Sequence, residues 1–124
     1  MNYENLTFGE FIITKRKEKE ISARQLAIAI NISPVYMCDI EKDRKFALSD
    51  ELLESIRKTL LLSEDDSEIM YDLAAKARKT VSADLPEYIM ENEIVRTALR
   101  TAKKNKIPDE KWERFIKEII KKEE

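Results

Sequence analysis

The sequence predicts an all-α protein. Only one glycine and three prolines occur in 124 residues, and a β-rich chain would normally need more turn formers. Apolar residues recur at three- to four-residue spacing almost everywhere. Ser or Thr stands before most of these runs, where a helix N-cap belongs.

Residues 1–6 read as a short arm. Thr7 caps the first helix, and Glu10 three residues on completes a capping-box pattern. Phe8, Phe11, Ile12 and the stem of Lys15 form its inner face. The run KRKEKE at 15–20 closes it as a solvated helix end; phosphate contact by one or two of its lysines is the functional alternative. The second helix covers 23–30 behind Ser22, with Leu26, Ala27 and Ile30 on one face and Asn31 as a left-handed stop. The third covers 34–41 behind Ser33, with Pro34 at the first helical position and Met37 and Ile40 turned inward. DRKFALSD is a loop whose Phe46 and Leu48 are expected to tuck under the bundle. Ser49 caps a fourth helix over 50–60, with Leu52, Leu53, Ile56 and Leu60 inward. Ser63, with Asp66 as box partner, opens a fifth that runs to Arg78, with Ile69, Leu73, Ala74 and Ala77 on one face.

The segment KTVSADL at 79–85 lacks helical period, so the boundary is set at 1–79 and 80–124. Pro86 restarts a helical stretch that breaks near Asn92. KKNKIPDE at 103–110 is a hinge, with Pro108 at a first helical position. The last helix bears the stripe Trp112, Phe115, Ile116, Ile119 and Ile120. Side chains of this size need burial, at roughly 1.5–3 kcal/mol each. A helical hairpin over 86–120, part of it touching a second chain or a partner protein, is the expectation.

Two short helices joined by a few residues form a helix-turn-helix unit, and 22–45 has that form, with its second helix offered to a major groove. The net charge of −2 is not that of a general nucleic-acid coat. A specific binder needs only a local positive face. One cysteine and no histidine exclude an internal disulfide and a Cys/His zinc site. No long apolar run or signal-peptide order occurs, so a cytoplasmic protein with no membrane partner is expected. With neither histidine nor a glycine-rich phosphate loop, no enzymatic activity and no cofactor are expected.

The segments FGEFIITKR (8–16), SARQLA (22–27) and NISPVYMCDI (31–40), followed by Glu41 and a basic loop, resemble the XRE-type helix-turn-helix domain of phage repressors and Cro proteins. The resemblance covers about residues 6 to 62. It implies a five-helix lambda-repressor-like domain followed by a small helical extension, with the third helix reading DNA and a homodimer on inverted half-sites. It also implies an ion pair between Arg16 and Glu41 that ties the first helix to the end of the third. Two positions depart from the family pattern. Ala23 stands where a phosphate-binding Gln is common. Lys42 and Asp43 stand where a Gly is common, so Asp43 must make the turn.

By position, the base readers are Pro34, Val35, Tyr36 and Asp39. Val35 and Pro34 suit a thymine methyl, and Asp39 suits a cytosine amino group. Tyr36 could equally pack on the preceding helix. No Arg, Asn or Gln lies in this helix, so bidentate purine readout from its centre is absent. Phosphate contacts are assigned to the start of the second helix, where Arg24 adds charge beside Gln25, and to Lys42, Arg44 and Lys45 in the loop; Ser33 is counted among the DNA-binding residues by position. Cys38, without a second thiol and beside Asp39 and Glu41, reads as simple packing or exposure rather than a redox sensor. The resulting expectation is a sequence-specific double-stranded DNA-binding regulator of transcription, a repressor. The alternative is an antitoxin that represses its own operon and holds a cognate toxin through 80–124. Trp112, Phe115, Ile116, Ile119 and Ile120 are the expected dimer or partner surface.

Overall fold

A computed structural model describes residues 3–45 and 48–122. Every regular element among them is helical. A 3-10 turn, Tyr3–Asn5, precedes eight α-helices: α1 (Phe8–Glu18), α2 (Ala23–Ala29), α3 (Pro34–Glu41), α4 (Asp50–Thr59), α5 (Glu64–Arg78), α6 (Pro86–Glu91), α7 (Glu93–Asn105) and α8 (Asp109–Lys122). The chain divides into two compact units, 1–86 and 87–124. No described helix is long and apolar enough to cross a membrane.

The first unit closes around a single core. Phe11 and Ile12 of α1, Leu26 of α2, Met37 and Ile40 of α3, Leu53 and Ile56 of α4, and Met70 of α5 are all but fully buried. On α5 the buried face differs from expectation. Met70 and Ala75 join Leu73 and Ala74, while Ala77 is exposed and Ile69 half-buried. Met70 lies three and four residues before Leu73 and Ala74 and so shares their face. Leu48 is buried as expected; Phe46 lies outside the described residues. The segment after α5 also differs. Ser82 is buried with its hydroxyl on the Asp72 carboxylate, and Ala83 lies against the core. Residues 80–86 therefore belong with the first unit, not with the extension. Pro108 sits just before α8 rather than at its first position, and its carbonyl accepts from the Lys111 amide.

One punctuation device is used throughout. Helices α1 to α5 and α7 each end with a residue at positive φ, namely Glu20, Asn31, Asp43, Leu61, Lys79 and Lys106. At each, two backbone bonds close the end. Ile32 N–H donates to the Ala27 carbonyl and Asn31 N–H to that of Ile28, and the other five follow the same pattern. This is the Schellman geometry, which usually takes glycine. The next residue is often apolar and directly precedes a capping serine, as in Glu20-Ile21-Ser22, Asn31-Ile32-Ser33 and Leu61-Leu62-Ser63. Ile21, Ile32 and Leu62 all pack against the core. Ile21 and Ile32 also stand where a hydrophobic staple would meet Leu26 and Met37. One apolar residue thus ends one helix and aims the next.

The basic run at 15–20 is only partly solvated. Lys15 is buried, and its ammonium donates to Asp66 at 2.7 Å and to the Tyr3 hydroxyl at 3.2 Å, with Glu18 also 3.2 Å away. Burial opposes its charge, but hydrogen bonds to Asp66, Tyr3 and Glu18 outweigh that and hold its pKa above the usual lysine range. Asp66 therefore does not return to the Ser63 amide. The Ser63 hydroxyl still accepts from Asp66 N–H at 3.1 Å, so that cap is half of the expected box.

Leu61 is largely exposed and strained at φ 52°. Replacing it by glycine should raise stability by about 1 kcal/mol, the left-handed penalty less the added chain entropy; urea unfolding measures this. A second expectation concerns acid. Hydrogen bonds from Tyr3 and Lys15 lower the Glu18 pKa, and those from Arg57 lower that of Glu54, both below the ordinary 4.5. Their stabilisation is complete above that pH and is lost as pH falls through the lowered values. The double variant Glu18→Gln/Glu54→Gln should show a shallower acid limb of stability than the parent.

Candidate nucleic-acid interface

The α2–turn–α3 segment is held from behind. Arg16 on α1 donates from Nε to Glu41 at 2.9 Å and from Nη2 at 3.0 Å, with a third bond from Nη1 to the Ile21 carbonyl at 3.1 Å. The pair is largely buried, with side-chain exposures of 12% and 10%. Beside it, Asp43 turns back onto the start of α1. Its carboxylate accepts from the Gly9 amide at 2.9 Å and from the Thr7 hydroxyl at 2.6 Å. A carboxylate is favoured there by the free N–H groups of the helix end. Gly9 completes the seam. A Cβ at this position would lie 2.8 Å from the Ile40 carbonyl oxygen and closer still to that of Glu41, so only glycine lets the backbones approach.

This arrangement fixes which way α3 faces. At about 100° per residue, Met37 and Ile40 point inward, both fully buried. Val35, Cys38, Asp39 and Lys42 then share the outward arc. Val35, near the middle of that arc, is 72% exposed, and Cys38 is exposed at one edge of it. Tyr36 is half-buried and packs on the core. It is a wall of the segment more than a free reader.

The other expected contacts divide into occupied and open groups. Ser22 and Gln25 form a reciprocal capping box, with the Gln25 side chain on the Ser22 amide at 2.8 Å. Ser33 is likewise occupied by the Tyr36 amide at 3.0 Å. Asp39 faces Arg44 at 3.6 Å. Pro34 is exposed. Arg24, Lys42 and Lys45 are exposed and form no ion pair among the described residues. So all three carboxylates between 34 and 45 are engaged within the protein: Glu41 by Arg16, Asp43 by α1, and Asp39 by Arg44. The bases of the same segment point to solvent.

The second unit presents the remaining expected surface. Phe115, Ile116, Ile119 and Ile120 are all exposed, and Trp112 is half-buried with its ring edge-on to Phe115 at 6.1 Å. No described residue from 87 to 121 is buried. Asn92 separates α6 from α7, as the sequence suggested.

No protein-family model, curated protein or solved structure matches this chain.

The Arg16–Glu41 pair should behave as a buried pair does. Arg16→Met leaves Glu41 without its partner and should cost about 3 kcal/mol. Arg16→Met/Glu41→Leu should recover most of that loss, since two apolar groups replace two charges. A double-mutant cycle by chemical denaturation measures the coupling.

Proposed function

We propose that residues 1–86 form a sequence-specific binding domain for double-stranded DNA that regulates transcription, in the manner of a repressor. The observation that carries this reading is the sorting of charge around α3. Glu41 and Asp43 turn into the fold, and Asp39 on the outward arc is paired with Arg44, while Arg24, Lys42 and Lys45 are exposed and form no ion pair among the described residues. Such a local positive rim attracts phosphates even though the whole chain has a charge of −2. The helix between these bases is short and exposes small side chains, so it fits a major groove about 12 Å wide. The resemblance of residues 6 to 62 to XRE-type domains supports the same reading, as does the order of α1 to α5.

Base recognition on this reading is modest. Val35 meets a thymine methyl, and Asp39 reaches a cytosine amino group only where Arg44 releases it for a phosphate. Cys38, exposed at one edge of the arc, is a small contact and a convenient probe.

Anisotropy titrations with upstream genomic fragments should show binding that weakens steeply with salt. Arg24→Ala and Lys45→Ala should each weaken all sequences alike and reduce the salt slope by about 1. Bound DNA should protect Cys38 from maleimide, and prior alkylation should abolish binding. Absence of binding to every genomic fragment, or labelling of Cys38 unaffected by bound DNA, would sink this reading.

A further inference from the structure

We infer that the cationic face of α7 is a second contact for the phosphate backbone of double-stranded DNA, one that grips the polymer without reading bases. From Arg96 to Lys106 the chain holds five cations, Arg96, Arg100, Lys103, Lys104 and Lys106, and no acid. At about 100° per residue, the four within α7 fall in an arc about 100° wide. Glu93 is the one carboxylate in that arc, and it stands at the first helical position, where a helix start favours an acid. With five cations against one acid, residues 93–106 carry a net +4 in a chain whose total is −2. Arg100, Lys103, Lys104 and Lys106 are exposed, and none forms an ion pair among the described residues. Arg96 is half-buried and donates from Nη1 to the Ile89 and Met90 carbonyls at the end of α6.

This charge is not matched along its own helix, which sets α7 apart from α8. On α8 each glutamate has a base at the spacing that stabilises a helix: Arg114 after Glu110, Lys117 after Glu113 and Lys121 after Glu118. On α7 the same spacing sets Arg96 against Arg100, and Arg100 against Lys103 and Lys104, pairs that repel. Attraction to the helix C-terminus accounts for Lys103 and Lys104 in the last turn, but not for Arg100 in the middle. An external polyanion relieves the repulsion and gives up its counterions on binding. Arg96 and Lys104 are about 12 Å apart along the axis, so the face spans more than one phosphate of a strand. An anionic lipid surface would need the cations beside the apolar residues, so that both reach the headgroup boundary. Here they are centred about 150° from Ile94, Val95, Ala98, Leu99 and Ala102. The face therefore suits a polymer met by charge alone.

The choice of duplex DNA as the polyanion rests on the reading of α3 given above, and one experiment separates the two. Anisotropy of a short random-sequence duplex is titrated with the full chain over a range of salt. Arg100→Gln/Lys103→Gln/Lys104→Gln should lower the slope of log K against log salt by about 2 to 3 and weaken all sequences alike. Arg100→Gln alone should lower it by about 1, while Arg100→Lys keeps the parent slope. Glutamine suits a helix, so the circular dichroism of each variant should match the parent. A slope that the triple variant leaves unchanged overturns the proposal, whatever Arg24→Ala does. The reverse pattern, in which only the α7 variants lower the slope, leaves it standing and removes the α3 reading. A parent that binds phosphatidylserine vesicles or an acidic protein but no duplex also overturns it.

Discussion

The seam between α1 and the end of α3 is the constraint on which the rest of the first unit depends. Three different interactions meet there within a few residues. Arg16 and Glu41 supply a two-pronged ion pair, Asp43 closes the start of α1, and Gly9 removes the side chain that would hold the backbones apart. A buried ion pair adds little net stability, because desolvation offsets attraction, but its geometry is demanding. Its bidentate form allows one orientation of α3 about its axis. With Met37 and Ile40 then committed to the core, Val35, Cys38 and Lys42 have no other place than the surface.

The same seam explains how the chain manages with one glycine. A helix that ends at Asp43 in the left-handed region would normally take Gly there. Aspartate accepts that backbone with less strain than most residues. Its carboxylate then contributes a contact that glycine could not make. Asn31 is a second polar residue suited to that conformation. Glu20, Leu61, Lys79 and Lys106 have no such excuse, and each retains left-handed strain of about 1–2 kcal/mol. What holds them is the pair of backbone bonds at each helix end and, after Glu20, Leu61 and Lys106, a following apolar residue.

Much of the first unit was legible because its signals are local. Serine before an apolar period, proline at a first turn and asparagine at a stop each act through neighbouring atoms, so Ser22, Ser33, Ser49 and Ser63 fixed four helix starts. The Arg16–Glu41 pair, 25 residues apart, was legible only through family resemblance. Long-range polar choices were not legible. The stem of Lys15 was expected inward but its ammonium looked solvated, because its sequence neighbours are charged, yet its partner Asp66 comes from α5. Gln25 looked like a phosphate ligand because it lies at a helix start, whereas the nearest unsatisfied donor was the Ser22 amide. The boundary at 79 also failed for a tertiary reason. Residues 80–86 have no period of their own, and what holds them is contact with α5 rather than any pattern they carry.

The two units present opposite solutions to one problem. In the first, each carboxylate near α3 is matched inside the fold, which leaves cations for an external polyanion. In the second, the apolar side chains of α8 are left open to solvent. On the DNA-binding reading this division is physically useful. A short helix without a purine-reading side chain gains little discrimination from one half-site, where a missing bidentate contact forgoes about 1–3 kcal/mol. Two copies on an inverted repeat, as the XRE resemblance implies, would make both half-sites bind as one event, so that two modest readings multiply. Specificity would then reside in spacing and symmetry as much as in any side chain of α3.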